Sequence, residues 1–124
     1  MQRYLTDRKR AEGLGSGRRG THHHWQMMVT SILLVILVPA FIITFALGLG
    51  GTQEEVVAYF SRPLPALITM LALVVGIFHL MNEAITAVED YVHGLAGKLT
   101  IIAVTALSYC VMAAGVFALA RMAL

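Results

Sequence analysis

The sequence has little charge and a single cysteine. Asp, Glu, Lys and Arg make up 13% of its 124 residues, and one cysteine excludes both an internal disulfide and a thiolate metal site. The chain is 58% apolar, with a mean hydropathy of +0.77. A soluble domain of this size cannot bury that much apolar surface. The composition therefore predicts that the chain resides in a lipid bilayer.

The sequence also lacks the motifs by which enzymes bind the larger redox cofactors. It has no dinucleotide-binding glycine pattern and no set of cysteines for an iron–sulfur cluster. We therefore expect neither flavin nor an Fe–S cluster in this chain, and we expect it not to be an enzyme by itself. Membrane lipid is an expected partner and nucleic acid is not.

Three apolar runs are each long enough to cross the bilayer as a helix. About 20 helical residues span roughly 30 Å of hydrocarbon, and a helix satisfies every backbone group there. We predict an all-α integral membrane protein, an up-down bundle with helices at about 27–49, 63–90 and 98–121. Residues 1–26 are predicted to form a separate basic segment, and residues 27–124 the transmembrane domain.

Two glycine-containing segments, 48–55 and 93–98, are predicted turns between these helices, and Pro39 is predicted to be a tolerated kink within helix one. Basic residues are concentrated on one side of this arrangement. Cytoplasmic loops are rich in Lys and Arg, so we expect a cytoplasmic N-terminus and an external C-terminus. On the cytoplasmic side lie Arg3, Arg8, Lys9, Arg10, Arg18, Arg19 and Lys98, and on the other side lie Arg62 and Arg121.

Helix two carries one polar face. At 100° per residue, Glu83 lies about 40° from His79, and Thr86 and Asp90 lie about 20° from it. Asp90 follows His79 by roughly 16 Å along the axis, which places it near the membrane surface. Intramembrane ionisable residues rarely face lipid, so this face is expected to meet protein, a cofactor or water.

A histidine within a membrane helix has three plausible uses. His79 could ligate a metal or haem iron, relay protons with Glu83, or hydrogen-bond to another helix. A haem with two axial ligands would need a partner chain, because no second histidine lies within another predicted helix. Before helix one, His22, His23 and His24 form either a membrane-surface anchor or donors for the carboxylates of a bound cofactor.

His79 followed ten residues later by Asp90 and Tyr91 resembles a motif of one known family. That family comprises the hydrophobic membrane anchor subunits of succinate dehydrogenase, respiratory complex II. The match is to the smaller, D-type cytochrome b556 anchor, and it extends through "EDYVHG" (89–94). The segment "GRRGTH" (17–22) is similar to the residues before helix one in the same family.

The resemblance implies a role for each of these residues. His79 would be an axial ligand of a b-type haem, with the second ligand supplied by a companion anchor. Tyr91 would donate a hydrogen bond to a carbonyl oxygen of the quinone, with Asp90 beside it. His22 would contact a haem propionate, and Arg19, His23 or His24 would take the place of an arginine that some relatives carry early in helix one.

The resemblance also implies partners and a location. We expect a second, C-type cytochrome b anchor with three helices, an iron–sulfur subunit and a flavoprotein subunit, in a bacterial cytoplasmic (inner) membrane. The alternatives are a fumarate reductase anchor and a small accessory protein without redox function. The sequence departs from the family at two places: "HHWQMMVT" (23–30) has no arginine, and Glu83 replaces an expected small residue.

Overall fold

A computed structural model of the chain describes residues 5–15, 17 and 19–124, and every regular element in that part is a helix. Arg3 and Arg18, two of the basic residues before helix one, lie outside it. Three helices are long and apolar enough to cross a membrane, which confirms the predicted all-α fold with three spans. The helices are α1 (Asp7–Glu12), α2 (Gly20–Gly48), α3 (Gln53–Phe60), α4 (Pro63–Tyr91) and α5 (Gly94–Ala123).

The spanning helices are longer than the apolar runs from which they are predicted. α2 begins at Gly20, and the amide of His23 donates to the carbonyl of Arg19 over 2.9 Å. The helix continues without interruption past Pro39 to its end. The polar residues before the apolar run thus extend the first spanning helix beyond its membrane core.

The turn predicted at residues 93–98 is shorter than expected. α5 already begins at Gly94, so Val92 and His93 alone separate it from α4. Gly94 has a φ of 72°, a backbone conformation that glycine adopts without steric cost. Such a tight connection makes α4 and α5 antiparallel neighbours.

The other predicted turn, residues 48–55, contains the start of a helix that the apolar pattern did not predict. Thr52 and Glu55 form a reciprocal capping box at the N-terminus of α3, with bonds of 2.9 and 3.3 Å. Tyr59 donates its hydroxyl to the carbonyl of Thr44 over 2.8 Å, and Ser61 Oγ bonds the carbonyl of Met122. The region around α3 thus joins the C-terminal ends of α2 and α5.

α4 is the central helix of the bundle. It packs against both α2 and α5, whereas the backbones of α2 and α5 do not approach each other within the described residues. The backbone of α5 approaches α4 closely at Gly115, where an added Cβ would collide with Leu73. The few buried residues leave most of the apolar surface open to lipid or to other chains.

Candidate functional site

His79 lies on α4 at the contact with α2. Its side chain is 17% exposed, and its Nδ1 lies 2.8 Å from Oγ1 of Thr30 on α2. This is the distance of a strong hydrogen bond. The polar face predicted on helix two therefore includes a histidine whose ring is bonded to the neighbouring helix.

Thr30 Oγ1 also lies close to its own helix backbone. It is 2.9 Å from the carbonyl oxygen of Gln26 and 3.1 Å from that of Met27. Threonine within a helix commonly bonds to a carbonyl three or four residues earlier, so this geometry is an ordinary local feature. The unusual feature is that the same hydroxyl also meets an imidazole from another helix.

The second ring nitrogen of His79 has no hydrogen-bond partner among the described residues. Its nearest ionisable neighbour is Glu83, whose Oε1 lies 3.9 Å from Nε2, too far for a hydrogen bond. Glu83 is itself 61% exposed, so this chain does not cover its carboxylate. Nε2 is thus left without a hydrogen bond, and Glu83 beside it lies on a surface that another molecule can occupy.

The other polar side chains of this region are satisfied within α4. Asn82 donates to the carbonyl of Phe78 over 2.8 Å, and Thr86 donates to that of Asn82 over 3.0 Å. Such bonds let polar residues occupy a membrane helix without a partner on another helix. They distinguish Asn82 and Thr86 from His79.

Asp90 and Tyr91 are the last two residues of α4. Both residues are exposed, and 84% of the surface of Tyr91 is accessible. Tyr91 follows His79 by twelve residues, or roughly 18 Å along the helix axis. The phenol therefore lies at one end of the bundle, where a second molecule can reach it.

Arg19 and His22 lie at the N-terminal end of α2, and both are exposed. His22 precedes Thr30 by eight residues, or roughly 12 Å. Because α2 and α4 are antiparallel, these two residues lie at the same end of the bundle as Tyr91. Among the described residues, no hydrogen bond joins Arg19, His22, Asp90 and Tyr91 to one another or to His79.

The donor set limits the kind of metal group that this chain can bind. The described residues contain no group of three or more His, Cys, Asp or Glu side chains placed to hold a metal ion. A zinc site needs three or four protein ligands. A haem supplies its own nitrogens and takes one or two axial side chains. A single imidazole with a free Nε2 fits an axial ligand.

The sequence assigns no role to Thr30, which is one of the few hydroxyls in an apolar run. Its position 49 residues from His79 gives no local pattern. The usable signal is depth, because antiparallel helices that pack together place residues of equal depth side by side. Thr30 and His79 satisfy that condition.

Comparisons with known proteins give a consistent result. The family model described as "Succinate dehydrogenase/Fumarate reductase transmembrane subunit" matches residues 2–120. The Paracoccus denitrificans protein named succinate dehydrogenase hydrophobic membrane anchor subunit is 47% identical over 122 residues, which cover 98% of this chain and 95% of that protein. A protein of the same name from Rickettsia bellii is 26% identical over 84 residues, covering 67% and 66%. No solved structure matches the chain.

Proposed function

Because this chain belongs to the succinate dehydrogenase/fumarate reductase transmembrane subunit family, we propose that it is the smaller, D-type membrane anchor of a succinate dehydrogenase. Family membership confirms the resemblance carried by His79, Asp90 and Tyr91. The anchor does not oxidise succinate itself. It holds the complex in the membrane and contributes to the site at which quinone accepts the electrons.

The proposed complex contains three further subunits. A second, C-type anchor with three helices covers the polar face of α4. An iron–sulfur subunit and a flavoprotein dock on the cytoplasmic side, where succinate oxidation takes place. The open surface of α4 supports this assembly, because the carboxylate of Glu83 is costly in lipid and needs either a partner or a proton.

We propose that His79 supplies one axial ligand of a b-type haem shared with the second anchor. The observation that supports this role is an imidazole with one nitrogen bonded to Thr30 and the other free of hydrogen bonds within the described chain. When bound, the haem supplies a one-electron carrier within the membrane. Arg19 and His22, at the N-terminal end of α2, provide N–H donors for its propionates.

Tyr91, with Asp90 beside it, forms this chain's part of the quinone site. The phenol O–H donates a hydrogen bond to a quinone oxygen at the membrane boundary, and the isoprenoid tail stays in lipid. Asp90 is near enough in the chain to tune this donor. The exposure of both residues at the end of α4 supports this role, because the quinone and the partner subunits can reach them.

The membrane is proposed to be a bacterial cytoplasmic membrane, with the N-terminus in the cytoplasm. The distribution of Lys and Arg supports this orientation. In this orientation Tyr91 lies at the cytoplasmic surface, on the side from which the iron–sulfur subunit delivers electrons.

Two alternatives remain in view. The family also includes fumarate reductase anchors, in which the same parts would operate in the reverse direction. The Thr30–His79 bond itself favours a second candidate, in which His79 only joins α2 to α4 and the chain is a non-redox accessory protein. That role uses Nδ1 and leaves Nε2 without a function.

A visible spectrum of the purified complex tests the proposal. We expect a reduced b-type haem band in wild type and co-purification of the other three subunits. His79→Ala should abolish the low-spin signal or change the coordination of the haem iron, because one axial ligand is removed. His93→Ala is the matched control, since His93 is exposed at the start of α5 and should leave the spectrum unchanged. An unchanged spectrum at full haem content in His79→Ala would contradict the ligand assignment.

A further inference from the structure

We infer that Thr30 is a positioning residue that fixes the tautomer and orientation of His79. Its hydroxyl accepts a hydrogen bond from Nδ1–H of His79, which would leave the lone pair of Nε2 available to coordinate a haem iron. The inference rests on the proposed function, and it gives a role at the proposed axial ligand to Thr30 of α2, to which the sequence assigns none.

The number of hydrogen bonds that each tautomer allows decides the direction of the bond. Thr30 Oγ1 carries one proton and lies close to three groups: the carbonyls of Gln26 and Met27, and Nδ1 of His79. If Nδ1 carries a proton, the hydroxyl accepts from it and donates its own proton to a carbonyl, so two bonds form. If Nδ1 carries a lone pair, the hydroxyl can only donate, and one bond forms.

The opposite tautomer is also poorly accommodated at Nε2. It would place the proton on Nε2, which has no hydrogen-bond acceptor among the described residues and lies 3.9 Å from Oε1 of Glu83. An N–H group within a membrane helix bundle is costly when it has no acceptor. A protonated Nε2 is also unable to bind iron, because a metal-bound imidazole coordinates through an unprotonated nitrogen.

The backbone around Thr30 makes it a suitable orienting group. Thr30 is β-branched and back-bonded within a continuous helix, so its side chain has little rotational freedom. Imidazole ligands usually donate their second N–H to an acceptor that fixes the ring and raises the basicity of the ligating nitrogen. Thr30 provides that acceptor from the helix that packs beside His79.

The test compares three variants in the intact, purified complex. Thr30→Val keeps the shape of the side chain and removes the hydroxyl, and Thr30→Ser keeps the hydroxyl. Thr100→Val is the matched control, because the hydroxyl of Thr100 bonds to the carbonyl of Ala96 on its own helix. Two properties are measured: the rate of haem transfer to excess apomyoglobin and the haem reduction potential.

We expect haem transfer to apomyoglobin to be about tenfold faster in Thr30→Val, because removing an orienting group weakens metal binding by about 10- to 100-fold. The reduction potential should rise, because a less basic imidazole stabilises ferric iron less. Thr30→Ser should restore both properties, and Thr100→Val should resemble wild type. If Thr30→Val does not assemble, Thr30→Ala removes the same hydroxyl with a smaller side chain and gives the same comparison.

The outcomes separate this inference from the proposed function. A wild-type complex without low-spin b haem would overturn both. Wild-type haem with unchanged transfer and potential in Thr30→Val would overturn the inference alone and leave His79 as the ligand. Equal losses in Thr30→Val and Thr30→Ser would also overturn it, since the hydroxyl would then be irrelevant.

Discussion

The five histidines of this chain differ in their surroundings. Three lie in the exposed first turns of α2, and His93 is exposed at the start of α5. His79 alone among them combines a mostly covered ring with a hydrogen bond to another helix. A ring held in one orientation is suited to binding a metal group, whereas an exposed ring samples many rotamers. The three histidines of α2 are His22, His23 and His24.

At the proposed quinone site, replacing Tyr91 with phenylalanine separates a hydrogen-bonding role from a packing role. Tyr91→Phe keeps the ring and removes the O–H. We expect quinone reduction by succinate to weaken by roughly two- to twelvefold, because a neutral hydrogen bond contributes about 0.5–1.5 kcal/mol and about 1.4 kcal/mol corresponds to a factor of ten. The measurement is the rate of succinate-dependent quinone reduction by the intact complex as quinone concentration varies.

The control for Tyr91→Phe uses the same preparation with an artificial dye that accepts electrons upstream of the membrane. Activity with the dye should remain at the wild-type level, which shows that the subunits outside the membrane are intact. Tyr109→Phe, on α5, is a matched tyrosine variant outside the proposed site. Wild-type quinone kinetics in Tyr91→Phe would instead make Tyr91 an interfacial aromatic residue, of the kind common at membrane surfaces.

The shared polar face of α4 could be predicted from the sequence, because its residues recur with the period of a helix. His79, Glu83 and Asp90 share a face by simple rotation along a single helix. Thr30 could not be predicted in this way, because its contact joins two helices. At 1.5 Å per residue, Thr30 lies about 27 Å from the end of α2 and His79 about 24 Å from the start of α4, so equal depth was a usable signal.

At the scale of elements, the three spans could be predicted and α3 was missed. Length and hydropathy identify a membrane helix without knowledge of its neighbours. α3 has eight residues, and its helical start is marked by Thr52 and Glu55, a capping-box pattern visible in the sequence. Its packing could not be predicted, because Tyr59 and Ser61 bond to residues of α2 and α5 that are distant in the chain.

The packing of α3 against α2 has little spare space at Gly48. A Cβ added to Gly48 would lie 2.6 Å from Cδ1 of Tyr59 and 2.9 Å from Cε2 of Phe60. Gly48→Ala therefore requires both rings to move, and Tyr59 would strain its bond to Thr44. We expect a loss of about 1–3 kcal/mol in unfolding free energy, typical of overpacking, measured as a lower thermal midpoint of the purified complex.

Gly20→Ala is the matched control for Gly48→Ala. Gly20 is the first residue of α2, and an added Cβ there has no neighbour within 4 Å. This variant should keep the wild-type midpoint. Equal midpoints for Gly48→Ala and Gly20→Ala would show that the aromatic rings of α3 do not restrict this position.

On the scale of the whole molecule, the open faces of α4 are the main feature. The backbones of α2 and α5 do not approach each other within the described residues, so α4 is not enclosed between them. Apolar residues on an open surface are stable in lipid, but the 61% exposed carboxylate of Glu83 is not. The isolated chain therefore has a surface that requires covering by protein or cofactor, which is consistent with an anchor that functions within a complex.

The two ends of the bundle differ in charge and in the residues and elements that they carry. One end carries the exposed residues Arg19, His22 and Tyr91, and the other carries α3 with the C-terminal end of α5, joined through Ser61 and Met122. Six basic residues precede α2, whereas the connection from α2 to α4 contains only one basic residue, Arg62. An odd number of spans places the two termini on opposite sides of the membrane, so the charge asymmetry predicts the orientation of the whole molecule.

Reporter fusions at Met1 and Leu124 test this orientation. We expect a fluorescent protein that matures only in the cytoplasm to be active at Met1 and inactive at Leu124. A phosphatase active only outside the cytoplasm should give the reverse pattern, and the use of both reporters at each end controls for poor expression. Fluorescence at Leu124 with phosphatase activity at Met1 would reverse the orientation. Tyr91 would then lie on the external surface, away from the subunits that deliver electrons, so the proposed quinone site would fail together with the topology.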